Sequence, residues 1–216
     1  MIDHLVYATP DLATTVEALT DRFGIVPTPG GAHPGRGTRN ALVGLGDGAY
    51  LEIIGPDPEQ PVPTFPRPFG IDALSGPALV MWCARPALPL EVVIEAASAN
   101  GYHLGPIVSM SRHRPDGVLL EWRLSVPDPA ASEGGVLPFV IDWVAATHPS
   151  ASLPPGVVLD ELRLEHPEPE RIMAVLAALG GAGAVIVSGV EARLSATLQT
   201  RAGRVRLGPE PAPAFE

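Results

Sequence analysis

The chain has 216 residues, 46 % of them hydrophobic, and a formal charge of −10, with all 14 basic residues arginine. That much apolar material excludes a disordered chain, and the acidic balance excludes nucleic acid as the main partner, because phosphate binding needs a basic face. No apolar run approaches the ~20 residues of a membrane span, "IDHLVYA" opens without a basic leader, and the single Cys83 allows no internal disulfide, so a cytoplasmic protein with no membrane partner is expected.

Residues 2–8 read as a buried strand that carries His4. "PDLATTVEALTDRFG" reads as a helix. Asp11 can accept from its first free N–H groups, Leu12, Val16, Leu19 and Phe23 recur at helical spacing, and Gly24 suits its end. "TPGGAHPGRGTRN" reads as a glycine-rich loop, and "ALVGLGDGAYLEIIGP" as two strands turning at "GDG". The pattern returns with the strand "GPALVMWCARP", the helix "LPLEVVIEAASANGY", a hairpin turning at "RPDG" and the strand "VLPFVIDWVA". Residues 146–156 read as a linker. A third pass starts at "VVLDELRLEHPEPERIMAVLAALGG" and adds the short strands "AVIVSG", "EARLSATLQT" and "GRVRLG".

Residues 3–24 and 160–180 overlay with strand, proline, acidic cap and glycine stop in step, which marks a diverged internal repeat. The strand–helix–three-strand unit resembles the vicinal oxygen chelate superfamily of glyoxalases and extradiol dioxygenases. More narrowly, "IDHLVYATPDL", "HPGRGTRNALVGLGDGAYLEIIGPDP", "SRHRPDG" and "PFVIDW" resemble the bacterial glyoxalase-like domain family. The resemblance implies an α+β fold of repeated βαβββ modules whose curled mixed sheets form a cleft. The modules are expected at 1–56, 77–145 and 157–208. It also implies metal ligands, where a metal is held, on the first and last strands of each module.

Strand alternation places candidates on that frame. His4, Val6 and Ala8 share one face of the first strand. Tyr50, Glu52 and Ile54 share one face of the last. With Leu5, Tyr7, Leu51 and Ile53 on the helix side, His4 and Glu52 face the cleft. An imidazole and a carboxylate suit a divalent metal ion; a plain hydrogen-bonded His–Glu pair is the competing reading. In the second module Val80 falls where His4 stands, and Asp142 is the nearest acid to the Glu52 position. Asp142 is therefore a further catalytic candidate beside Glu52.

His33, Thr38, Arg39 and Asn40 bring donors together in "GGAHPGRGTRN", and Arg112 and Arg114 flank the second hairpin tip. Each set suits an anionic substrate or a solvated loop. Trp82 is a candidate stacking wall or a core residue, and Trp143 is expected in the core. "GGAGA" follows a helix, so no nucleotide cofactor is expected. Cys83 reads as an inert buried thiol, and His148 and His166 as surface residues. Two functions follow. One is metal-assisted enzyme chemistry on an anionic oxygenated small molecule. The other is metal-free sequestration of a small molecule on the same fold. The third unit is expected to cap a sheet edge or to build a homodimer.

Overall fold

The computed structural model describes residues 1–114, 117–144, 147–181 and 183–209. The chain runs β1 (Ile2–Ala8), α1 (Leu12–Phe23), β2 (Thr28–His33), β3 (Thr38–Gly44), β4 (Tyr50–Pro56); then β5 (Ala78–Ala84), α2 (Leu90–Ala99), β6 (Val108–His113), β7 (Leu119–Ser125), β8 (Phe139–Asp142); then β9 (Val158–His166), α3 (Pro169–Ala178), β10 (Val185–Ser188), β11 (Arg193–Thr200), β12 (Gly203–Leu207). The α1 helix starts and stops where its chemistry dictates. Asp11 accepts from the Thr14 N–H at 3.1 Å, and Gly24 ends the helix at φ +68°, a value that costs glycine no Cβ clash. Among the described residues no helix is long and apolar enough to cross a membrane.

Eight strands form one mixed sheet in the order β2-β3-β4-β1-β5-β8-β7-β6. β1 is parallel to β4 and antiparallel to β5, and β5 is parallel to β8. The sheet therefore consists of two like-wired halves joined along the β1/β5 seam. It curls until its edge strands β2 and β6 come together. There the Arg112 guanidinium on β6 donates to the Gly30 carbonyl on β2. A side chain at Gly31 would put its Cβ 2.8 Å from the His113 carbonyl oxygen, so the close approach of the two strands requires glycine.

Strand alternation sorts the apolar residues as the sequence implies. Leu5, Tyr7, Leu51 and Ile53 lie on the outer face in the main core, with Leu19 and Phe23 of α1 and Leu90 and Val93 of α2. Val6, Ile54, Met81, Phe139 and Ile141 lie on the inner face in a second cluster. Burying a Leu or Phe of this kind stabilises by roughly 1.5–3 kcal/mol before entropy is counted.

Two features depart from expectation. "TPGGAHPGRGTRN" is no loop: its first half is β2, and β3 begins at Thr38. β2 is an edge strand, where proline and glycine are tolerated because half of the ladder is unpaired. The third unit repeats the element order but not the wiring. Its sheet runs β10-β9-β11-β12, with β9 between parallel β10 and antiparallel β11. In the first half the strand after the helix, β2, sits three places from β1; here β10 pairs with β9 directly. Leu164, Leu194, Ile172 and Val175 of this unit join the main core. It covers the outside of the large sheet, away from the inner face.

Candidate active site

The inner face of the curled sheet encloses a cavity of about 350 Å³. Its polar end is built by the first half. His4 projects inward from β1 and is buried. Its ring stacks on Tyr50 with centroids 4.7 Å apart, and Phe139 meets it edge-on at 5.3 Å. A β-bulge follows Ile2, so that Ile2 to His4 on β1 spans only Ala84 to Cys83 on β5. Asp3 is the extra residue. A bulge re-aims its side chain, and the buried Asp3 carboxylate reaches His4 Nδ1 at 2.7 Å. Its other oxygen accepts from His148 Nε2 at 3.0 Å and Trp143 Nε1 at 3.1 Å, with Arg85 Nε 3.6 Å away. Burial alone would push the Asp3 carboxyl up; hydrogen bonds from His148 and His4 outweigh it and hold the group well below the usual carboxylate range. An ionised carboxylate only accepts, so His4 Nδ1 donates to Asp3, and in the neutral imidazole it is Nε2 that presents a lone pair.

That Nε2 lies 3.8 Å from Glu52 Oε2. The β1/β4 register pairs Val6 with Glu52, which sets the carboxylate one inward position along from His4. Asn40 Nδ2 donates to Glu52 Oε1 at 2.5 Å and lies 3.4 Å from His33 Nε2. His33 Nδ1 meets Thr38 Oγ1 at 3.1 Å across the β2/β3 hairpin. Burial pushes the His33 imidazole below its usual value, against the raising pull of Glu52 and with help from Arg112. Asn40 Oδ1 is buried without a partner among the described residues.

Arg112 closes the polar end. It is buried, it donates to the Gly30 carbonyl, and it makes no ion pair among the described residues. Burial lowers its guanidinium pKa, against the raising effect of Glu52. The far wall is apolar and comes from the second half: Met110, Trp122, Leu124, Phe139 and Ile141, closed by Trp143 and Phe69.

The structure thus brings His4, Glu52, His33, Thr38, Asn40 and Arg112 to one cavity. Four other candidates lie elsewhere. Asp142 follows Val140 onto the outer face of β8, where it pairs with Arg123 at 2.8 Å. Trp82 is fully buried in the main core and donates to the Val136 carbonyl at 2.9 Å. The cause is a second bulge: Val6 to Tyr7 on β1 spans Met81 to Leu79 on β5, which leaves Val80 and Met81 both on the inner side and turns Trp82 outward. Arg39 faces Asp57 at 3.6 Å and Glu59 at 3.7 Å on the outside of β3. Arg114 lines a separate, smaller cavity of about 220 Å³. The hairpin tip beside it, residues 115–116, lies outside the described residues.

Trp143 lines the cavity instead of the core. His148 is tied to Asp3, and His166 is buried against Glu133 at 2.7 Å. Sequence reasoning missed Asp3, Trp122 and Trp143. Simple alternation puts Asp3 on the wrong face, and only the bulge corrects it.

A divalent ion fits this donor set. His4 Nε2 and Glu52 Oε2 face one another, and the second nitrogen of His4 is already held by a carboxylate, as is usual for metal-binding histidines. Asp3, His4 and Cys83 also offer ligand atoms within 4.8 Å of one another. That set fits less well, because His4 Nδ1 and both Asp3 oxygens are already engaged in hydrogen bonds.

A curled sheet of two βαβββ halves around a polar-ended cavity defines the vicinal oxygen chelate fold. The chain matches the glyoxalase-like domain over residues 2–180 and belongs to that family. A hypothetical protein from Staphylococcus aureus superposes with a TM-score of 0.58 at 13 % identity, over 88 % of this chain and 87 % of its own. Methylmalonyl-CoA epimerases from Mycobacterium tuberculosis and Streptomyces coelicolor are 18 % and 22 % identical, with TM-scores of 0.41 and 0.44. They cover 65 % and 69 % of this chain and 84 % and 98 % of theirs. The Staphylococcus aureus likeness speaks to the fold alone. A search of the curated proteins gives no match.

Proposed function

We propose that the protein is a small-molecule enzyme whose His4 and Glu52 hold a divalent metal ion and whose substrate is an oxygenated anion. The observation that carries this reading is the His4 Nε2 facing Glu52 Oε2 across 3.8 Å on the cavity wall. Such an ion, when bound, polarises neighbouring oxygens of a substrate and stabilises negative charge on them. The chain's own groups do the rest. Asp3 fixes the His4 tautomer. Asn40 fixes Glu52 through Oε1. The Glu52 carboxylate reaches a substrate proton, and His33, kept neutral by burial, is the next proton carrier, 3.8 Å from the same oxygen. Arg112, buried and without a carboxylate partner among the described residues, pairs with the substrate's anion. The apolar wall excludes water.

The test is calorimetric titration of metal-stripped protein with Mn²⁺, beside His4→Ala. Stoichiometric binding, lost in the variant, supports the reading; a folded wild type that binds no divalent ion sinks it. The 2.5 Å Asn40–Glu52 hydrogen bond and the absence of donors at Met81, Phe139 and Ile141 favour a second reading, sequestration without a metal. In that case a ligand binds tightly and is recovered unchanged.

A further inference from the structure

The two halves of the sheet share one wiring but line the cavity with opposite chemistry. The first half supplies His4, His33, Asn40 and Glu52. On the strands that match β3 and β4 the second half supplies Trp122, Phe139 and Ile141, and among the described residues lining the cavity Arg112, at the β6 edge, is its one charged group. Two aromatic pairs flank this wall. Trp122 and Trp143 have ring centroids 5.4 Å apart at 45°, and Phe69 and Phe139 have centroids 5.9 Å apart at 42°. Neither pair is stacked flat, so each leaves ring faces and edges for a third ring.

Trp143 is also anchored. Its indole N–H is spent on Asp3, which leaves an apolar ring toward the cavity. An apolar cavity of about 150 Å³ can hold benzene, so one of about 350 Å³ has room for a ring and a short acid chain.

We infer that the cavity takes an aromatic 2-oxygenated carboxylic acid, with its carboxylate on Arg112, its neighbouring oxygen toward His4 and Glu52, and its ring between the Trp122–Trp143 and Phe69–Phe139 pairs. This deepens the proposed function and rests on it for the His4–Glu52 contact; the ring and carboxylate contacts stand without a metal. Two residues separate the ends of the ligand. Arg112 reads the charge, and Val108, 38 % exposed on the cavity wall, borders the apolar end.

The experiment compares three acids with one head group by calorimetry, on stripped and on Mn²⁺-loaded protein: 3-phenyllactate, 2-hydroxy-4-methylpentanoate and lactate. Burying a ring in place of a methyl group predicts that 3-phenyllactate binds at least about 30-fold more tightly than lactate, with the branched acid between them. Equal affinity of the aromatic and branched acids, or of all three, overturns the inference. Arg112→Met is expected to weaken 3-phenyllactate at least about tenfold while leaving its uncharged methyl ester unchanged; an equal loss for both overturns the role of Arg112.

Should Arg112→Met not fold, Val108→Trp keeps the test. It fills the apolar end and must weaken 3-phenyllactate while sparing lactate; an equal loss for both counts against the ring site. If Mn²⁺ does not bind but the ranking holds on stripped protein, the metal reading fails and the aromatic-acid site stands. If Mn²⁺ binds and the ranking is flat, the aromatic-acid site falls alone.

Discussion

The Asp3 carboxylate accepts from His4 Nδ1 at 2.7 Å, although consecutive residues of a strand normally point to opposite faces. The bulge after Ile2 makes the contact possible. It also ties three parts of the chain to one buried acid: β1 through His4, the end of β8 through Trp143, and the Pro149–Ser152 turn through His148. Asp3→Asn keeps the shape and removes the charge. The His4 tautomer is then no longer imposed. Metal affinity is expected to fall about 10–100-fold, and stability by about 1–3 kcal/mol from the weakened buried hydrogen bonds. Calorimetry and urea denaturation read the two effects separately. A variant with undiminished Mn²⁺ affinity would show that Asp3 serves the fold alone.

Glu52→Gln separates a ligand from a structural acid. The amide keeps an oxygen for Asn40 Nδ2, so the hydrogen bond survives in neutral form. It also removes a buried charge, so the urea midpoint should hold or rise slightly, with a change within about 1 kcal/mol. Mn²⁺ binding should be lost. A large destabilisation would mean that the carboxylate holds the barrel wall together through its charge.

Gly30 sets the position of Asn40. A Cβ on Gly30 would lie 2.0 Å from Asn40 Oδ1 and 2.9 Å from Asn40 Cγ, so the amide that donates to Glu52 must shift. Gly30→Ala is expected to cost about 1–3 kcal/mol as an overpacked substitution. Removing the clashing partner in Gly30→Ala/Asn40→Ala should recover part of that cost. The recovery would appear as a coupling energy in a double-mutant cycle. Purely additive losses would place the strain elsewhere, for instance at the Gly30 carbonyl that Arg112 uses.

The inward direction of His4 and Glu52 follows from period-two alternation once Leu5, Tyr7, Leu51 and Ile53 are assigned to the helix side, and the structure agrees because β1 beyond the bulge and β4 are regular. The same rule fails where a residue is inserted. Bulges at Asp3 and at Val80 shift the faces of Asp3 and Trp82, and nothing local in "IDH" or "LVMW" announces them. The β2 strand was hidden by its own composition, since glycine and proline are turn formers that an edge strand tolerates. The third unit shows a different limit. Its overlay on residues 3–24 is real over one strand and one helix, but which strand pairs with β9 is a long-range choice that the local pattern does not encode.

Asp142 offers a control for this account. On the outer face it pairs with Arg123, which also reaches Glu91 on α2 at 2.8 Å. The pair is partly exposed, and such bridges contribute about 0–1 kcal/mol. Asp142→Asn should leave ligand and metal affinities unchanged and shift the urea midpoint little. A loss of binding beyond about threefold would return Asp142 to the site and demand a rearranged β8.

Cys83 tests the burial of the seam. Its thiol is pushed well above its usual pKa by burial, with Asp3 and Glu52 adding to the rise and Arg85 opposing it. The thiolate is the reactive species, and the side chain sits on β5 directly across from His4. At pH 8 the native protein should therefore resist a thiol-specific reagent such as 5,5′-dithiobis(2-nitrobenzoate). In urea one equivalent should react promptly. Because access requires the β1/β5 pair to separate, the slow native rate should follow global stability and fall across Asp3→Asn, wild type in the order of their urea midpoints. A fast native reaction in wild type would mean that the seam opens locally, and the His4–Glu52 pair would then belong to a mobile wall instead of a fixed one.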